Sequence, residues 1–170
     1  MISLVFISLL TFAAYTTAVC VKCKGVPYSI SDTFYTLDHK LWFGATMFLT
    51  AGFLMPAILE VTPASYQFTA FLACAGMILV GAAPNFRGGI ERPIHIAGAT
   101  LCLVFSQVWV ALTCPWALLV WPVYLIYTVV MMTRHISERI LDDFLQTKPM
   151  FWVEVVAFLD LYFCLTTKLF

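Results

Sequence analysis

Six long apolar runs dominate this chain, at residues 2–20, 41–59, 66–83, 94–113, 116–132 and 151–167. Each approaches the roughly 20 apolar residues that a helix needs to cross about 30 Å of hydrocarbon. Inside lipid no water is present to satisfy a bare N–H or C=O, so such runs must fold as helices. The sequence therefore predicts an all-α integral membrane bundle of about six transmembrane helices, one domain over residues 1–170. Composition agrees, since 62% of the residues are hydrophobic and 11% charged, against about 45–50% and 25% in soluble domains. The formal net charge is zero, which leaves no electrostatic footprint for nucleic acid. The expected partner is the lipid bilayer, with a second copy or another membrane protein as the further class.

The first run carries no Lys or Arg ahead of it, unlike a secretory leader, and is read as a retained span. Thr17-Ala18-Val19-Cys20 departs from a lipoprotein cleavage box at Val19. Cys20 and Cys23 form a CxxC with no second pair and no redox-fold context, so it does not signal metal or disulfide chemistry. Cys74, Cys102, Cys114 and Cys164 lie within or beside apolar runs, where cysteine behaves as a small hydrophobe. Pro56 and Pro122 fall inside runs and are expected to kink them.

The connections alternate in character. Residues 21–40, 84–93 and 133–150 are polar, and they hold eight of the nine Lys and Arg: Lys22, Lys24, Lys40, Arg87, Arg92, Arg134, Arg139 and Lys148. The ninth is Lys168. Basic short loops stay cytoplasmic, so both termini are expected outside, as in a bacterial inner membrane. Trp42 and Trp152 then fall near the inner interface and Trp116 near the outer one. Within 133–150, Ile136, Ile140, Leu141, Phe144 and Leu145 repeat at helical spacing between Glu138, Arg139, Asp142 and Asp143. This predicts a short amphipathic helix between the fifth and sixth spans.

The residues that could carry chemistry cluster on the inner side. His39, His95 and His135 enter or leave three different spans. Three imidazoles can hold one Zn²⁺ and leave a position for water, with Asp32, Asp38 or Glu154 as a further ligand or base. The competing account is three interfacial histidines with wet tips, and no HExxH-like spacing argues against that account. His95 shares a helical face with Gly98, Ala99, Cys102 and Ser106, small residues that should pack against protein. Glu154 and Asp160 lie within the last run, where an ionisable group is costly and usually faces the bundle interior. Glu154 is placed to reach His95 or Arg92. Asp160 is expected near the midplane, with Ser106 or Gln107 as partners. Ser29 or Ser31 can cap a short helix before Phe34-Tyr35. With His39 and an aspartate these serines have the ingredients of a nucleophile system, but no GxSxG elbow supports one.

Several motifs carry a resemblance: Pro27-Tyr28-Ser29-Ile30-Ser31-Asp32 with Tyr35, Val80-Gly81-Ala82-Ala83-Pro84, His95 with Gly98-Ala99, and Trp152-Val153-Glu154-Val155-Val156-Ala157-Phe158. Over residues 27–158 the chain resembles small multi-span membrane proteins of Bacteroidota and the phages that infect them. The resemblance implies a multi-span fold and a phage or prophage origin, and it lends no activity or cofactor.

These readings give two functional expectations. One is a non-enzymatic accessory, binding or small-solute-handling bundle with a polar cytoplasmic-side mouth. Its candidate polar site is Ser31, Asp32, His39, His95, Glu154 and Asp160, and it needs no cofactor. The other is a metal-dependent intramembrane lipid hydrolase using Zn on His39, His95 and His135. That alternative is similar to ceramidase-type hydrolases in its ingredients but lacks their HxxxH spacing. The first is the expectation carried forward.

Overall fold

The computed structural model describes residues 1–134 and 140–169, and among these all regular structure is helical. The elements are α1 (Ile2–Lys22), α2 (Thr33–Thr36), α3 (Leu41–Val61), α4 (Gln67–Ala82), α5 (Glu91–Thr113), a 3-10 segment (Pro115–Leu119), α6 (Val120–Arg134), α7 (Ile140–Gln146) and α8 (Pro149–Leu169). Five stretches among the described residues are long and apolar enough to cross a membrane: α1, α3, α5, the continuous Pro115–Arg134 run and α8. The sixth run, α4, is apolar but has only 16 residues, about 24 Å at 1.5 Å per residue.

The α4 helix is held by its neighbours, packing closely on both α3 and α5. Its contact with α5 depends on glycine. A Cβ built on Gly76 would lie 2.4 Å from the Cys102 nitrogen and 2.5 Å from the Gly98 oxygen. Only bare backbone allows helices this close, the usual solution where lipid offers no hydrophobic drive for association. The small face of α5 thus faces protein as its sequence implies, with His95, Gly98 and Ser106 buried.

Polar side chains tie other helices together. Ser8 of α1 donates to the Thr50 carbonyl of α3 at 2.7 Å. Since that proton is used, the Tyr162 hydroxyl of α8 donates to Ser8 Oγ at 2.5 Å. Trp109, fully buried in α5, donates from Nε1 to Thr62 Oγ1 at 2.7 Å. Each bond satisfies a group that would be costly to leave bare in an apolar interior.

Two readings of the sequence change in detail. Pro56 lies inside α3, but Pro122 falls in the first turn of α6, where a missing N–H costs little, and the run ahead of it is 3-10. The connection at 133–150 yields the seven-residue α7, with Ile140 and Leu141 exposed and Asp143 buried. Ile136, Glu138 and Arg139, which completed the amphipathic pattern, lie outside the described residues.

Candidate binding site

The site is built on the connection after α1. This segment does not stay in water: Pro27, Ser29, Ile30, Thr33 and Phe34 are all buried. Local bonds shape it first. The Ser29 hydroxyl oxygen accepts from the Asp32 N–H at 3.0 Å just ahead of α2, whose own N-cap is Asp32 with no side-chain cap bond, so neither Ser29 nor Ser31 caps the helix as expected. Thr33 Oγ1 donates to the Ile30 carbonyl at 2.5 Å. With that proton committed, the Tyr15 hydroxyl of α1 donates to Thr33 Oγ1 at 2.5 Å. Phe34 packs edge-on against Phe43 of α3.

Three longer-range bonds then fix the turn. Phe151 N–H, in the first turn of α8, donates to the Tyr28 carbonyl at 3.1 Å. One turn further along α8, the Glu154 carboxylate accepts from the Ile30 N–H at 2.5 Å, and the Ser31 N–H also turns to it. Ser31 Oγ lies 3.1 Å from Nε2 of His95. The other ring nitrogen of His95, Nδ1, is 2.8 Å from the Ala83 carbonyl. A carbonyl only accepts, so Nδ1 carries the proton, and in the neutral ring Nε2 accepts from the Ser31 hydroxyl. Phe86 lies against the imidazole at 4.8 Å between ring centroids.

Ser31, His95 and Glu154 form the polar end of a cavity of about 380 Å³. The remaining wall is mainly apolar, with Met47 and Leu54 from α3, Met77 from α4, Leu103 from α5, and Phe158 and Leu161 from α8, and it also holds Ser29, Thr100 and Ser106. This volume falls within the range of small-molecule pockets, about 300–1,000 Å³. Among the described residues Glu154 is the only Asp, Glu, Lys or Arg in the wall. Among the described residues no Lys or Arg nitrogen approaches it within 4.0 Å, since the ion pairs there are Lys22–Asp38 and Arg87–Asp32.

The second of those pairs joins residues next in sequence to Ser31 and Phe86 of the cavity wall. Arg87, in the loop between α4 and α5, reaches Asp32 at 2.6 Å. Its guanidinium also lies over the Tyr35 ring, 4.0 Å from the centroid. The Arg87 N–H donates to the Tyr35 hydroxyl at 2.8 Å, and that hydroxyl donates to Asn85 at 3.0 Å. Phe86, between these anchors, is thereby held over His95.

The structure brings Ser31, Asp32, His95 and Glu154 together and separates the other candidates from them. His39 is exposed and outside the cavity wall. Its neighbour Asp38 is exposed too, and a 2.6 Å bond from Lys22 holds that carboxyl below the usual carboxylate range. His135 lies outside the described residues. Among the described residues no group of three or more His, Cys, Asp or Glu is arranged to hold a metal. Asp160 is buried but does not line the cavity, and its Oδ2 has no hydrogen-bond partner among the described residues. Its expected partners are engaged elsewhere. Gln107 Oε1 accepts from Trp121 Nε1 at 2.8 Å, and Ser106 donates to the Leu103 carbonyl at 2.9 Å. Phe86 and the backbone groups of Ile30 and Ala83 were not foreseen as site components.

The Ser31–His95 geometry allows an imidazole to accept a serine proton. Acyl transfer also needs donors aimed at a developing oxyanion. Here the Ile30 and Ser31 amides face Glu154, and the Asp32 amide is held by Ser29. No protein-family model, curated protein or solved structure matches the chain. The class defined by fold and site is thus a polytopic membrane protein with an internal apolar cavity capped by a polar cluster.

Proposed function

We propose that this protein is a non-enzymatic six-span membrane protein that binds an amphipathic small molecule, with the apolar part in the cavity and the polar part at Ser31, His95 and Glu154. The observation that carries this reading is the cavity of about 380 Å³ itself, mainly apolar in its wall and bearing the Ser31, His95 and Glu154 cluster. A ligand seated in a cavity of this size would gain dispersion contacts with its apolar wall.

In this reading α4 counts as the sixth span, its short length matched by the basic loop after it, and both termini lie outside the cytoplasm. The bias of Lys and Arg supports that orientation. Exposed Trp42 and Trp116 at opposite ends of the bundle then sit at the two interfaces, and α7 lies on the inner surface with Ile140 and Leu141 toward lipid. Reconstituted protein should bind a fluorescent fatty-chain probe at one per chain. Ala99→Phe fills the cavity from α5 and should abolish that binding at unchanged melting temperature. Equal binding by a folded Ala99→Phe variant overturns the proposal.

A further inference from the structure

We infer that the ligand is a cationic amphiphile, a long-chain amine whose ammonium group pairs with Glu154. This rests on the binding reading above and adds the chemistry of the head group.

The argument is one of charge and committed hydrogen bonds. Glu154 sits on α8 one turn inside an apolar span, and it is half-buried because one side of it is cavity wall. A carboxylate at such a place normally has a cationic partner. None of the described Lys or Arg side chains supplies one. The Ile30 and Ser31 amides satisfy hydrogen-bonding capacity but bring no net charge. A carboxylate has about four acceptor positions, so lone pairs remain for a donor arriving through the cavity.

The surrounding groups exclude the opposite choice. An anionic head group would need free donors, and the site offers few. The Ser31 proton is used by His95, the His95 Nδ1 proton by Ala83, and the Asp32 amide by Ser29. The anion would also face the Glu154 carboxylate. Arg87, a basic residue tied to this turn, is already paired with Asp32 and stacked on Tyr35. An ammonium finds the reverse: a carboxylate, with the aromatic side chains of Phe43, Phe86 and Phe158 also in the cavity wall. Aromatic faces attract cations, most strongly where water is excluded.

The test uses the full chain in lipid nanodiscs and three radiolabelled probes of equal length: dodecylamine, dodecanol and dodecanoate, each at the same mole fraction of lipid. The expected order is amine, then alcohol, then carboxylate, with the amine about tenfold or more tighter than the alcohol. Glu154→Gln should remove the preference of the protein for the amine over the alcohol. Equal binding of amine and alcohol by the wild-type protein overturns the inference while preserving the cavity as a binding site, and this comparison needs no variant to fold. A preference for the amine that survives in Glu154→Gln also overturns it. Failure of all three probes to bind defeats the underlying reading, and the inference with it.

Discussion

The Glu154 carboxylate and the Ile30 amide meet at 2.5 Å although 124 positions separate them in the chain. This bond joins the last helix to the turn after the first, and it sets the position of Ser31 against His95. It explains why an acid is tolerated inside a span: the turn would otherwise bring bare amides into an apolar interior.

Removing that acceptor should loosen the turn. Glu154→Ala is expected to cost about 1.5–3 kcal/mol, the usual range for hydrogen bonds to a charged group. Unfolding in mixed detergent micelles, followed by circular dichroism, measures it. Glu154→Gln keeps an acceptor and should cost less. Equal stability of Glu154→Ala and wild type would show that the turn is held by its other anchors.

The α4–α5 contact gives a sharper expectation. Gly76→Ala places a methyl 2.4 Å from the Cys102 nitrogen, which is backbone and cannot rotate away. The helices must separate, at a cost of roughly 1–3 kcal/mol or more. Gly52 has nothing within 4 Å of its Cβ position, and Gly52→Ala should stabilise α3 slightly through helix propensity. Thermal melts of both variants in the same detergent decide the comparison.

The Arg87–Asp32 pair should act on access more than on stability. Arg87 is largely exposed, so the pair is worth less than about 1 kcal/mol. Asp32→Asn should nonetheless release Phe86 from over His95. Alkylation of the cavity-lining Cys102 by a water-soluble maleimide, located by peptide mapping, should then speed up, and high salt should speed it in the wild type as well. An unchanged rate would mean that the loop does not control entry.

Trp109 anchors the deep end of the bundle. Trp109→Phe removes the donor to Thr62 and should cost about 1 kcal/mol, while Trp109→Ala also leaves a cavity and should cost about 3–5 kcal/mol. The difference between the two, read from denaturation midpoints, separates the hydrogen bond from the packing.

Orientation is open to direct measurement because Cys23 is exposed in the first basic connection. A membrane-impermeant maleimide should label it in inverted vesicles and leave it untouched in intact spheroplasts. Labelling from the outside alone would reverse the proposed topology.

The helical class and the apolar spans could be read directly from the chain. Their cause is local: transfer of a run of apolar side chains into lipid is a sum over neighbours in sequence. The small face of α5 was legible for the same reason, as helical periodicity places His95, Gly98 and Ser106 together. The length of α4 was less so. Residues 66–83 are apolar throughout, but the helix is limited to Gln67–Ala82 by the turns at either end.

The site was legible as an inventory and not as an arrangement. Ser31, Asp32, His95 and Glu154 were each singled out by composition alone, since polar groups beside or within spans are few and costly. Their partners were not. Sequence proximity suggested His39 for Ser31, whereas the fold turns His39 to solvent and brings His95 across 64 positions. Glu154 was expected to reach His95 or Arg92 and instead takes backbone amides. Asp160, equally prominent in the sequence, lies on another face of α8 from the cavity. Which polar groups meet depends on helix rotation and on the path of the turn at 28–36. Both are set by long-range contacts such as Gly76 against Gly98 and Tyr15 against Thr33. The sequence by itself determined that this chain is a helical membrane protein with a few costly polar groups. Only the tertiary structure decided that Ser31, His95 and Glu154 meet in the wall of one mainly apolar cavity, because burial energy is additive along the chain and hydrogen-bond pairing is not.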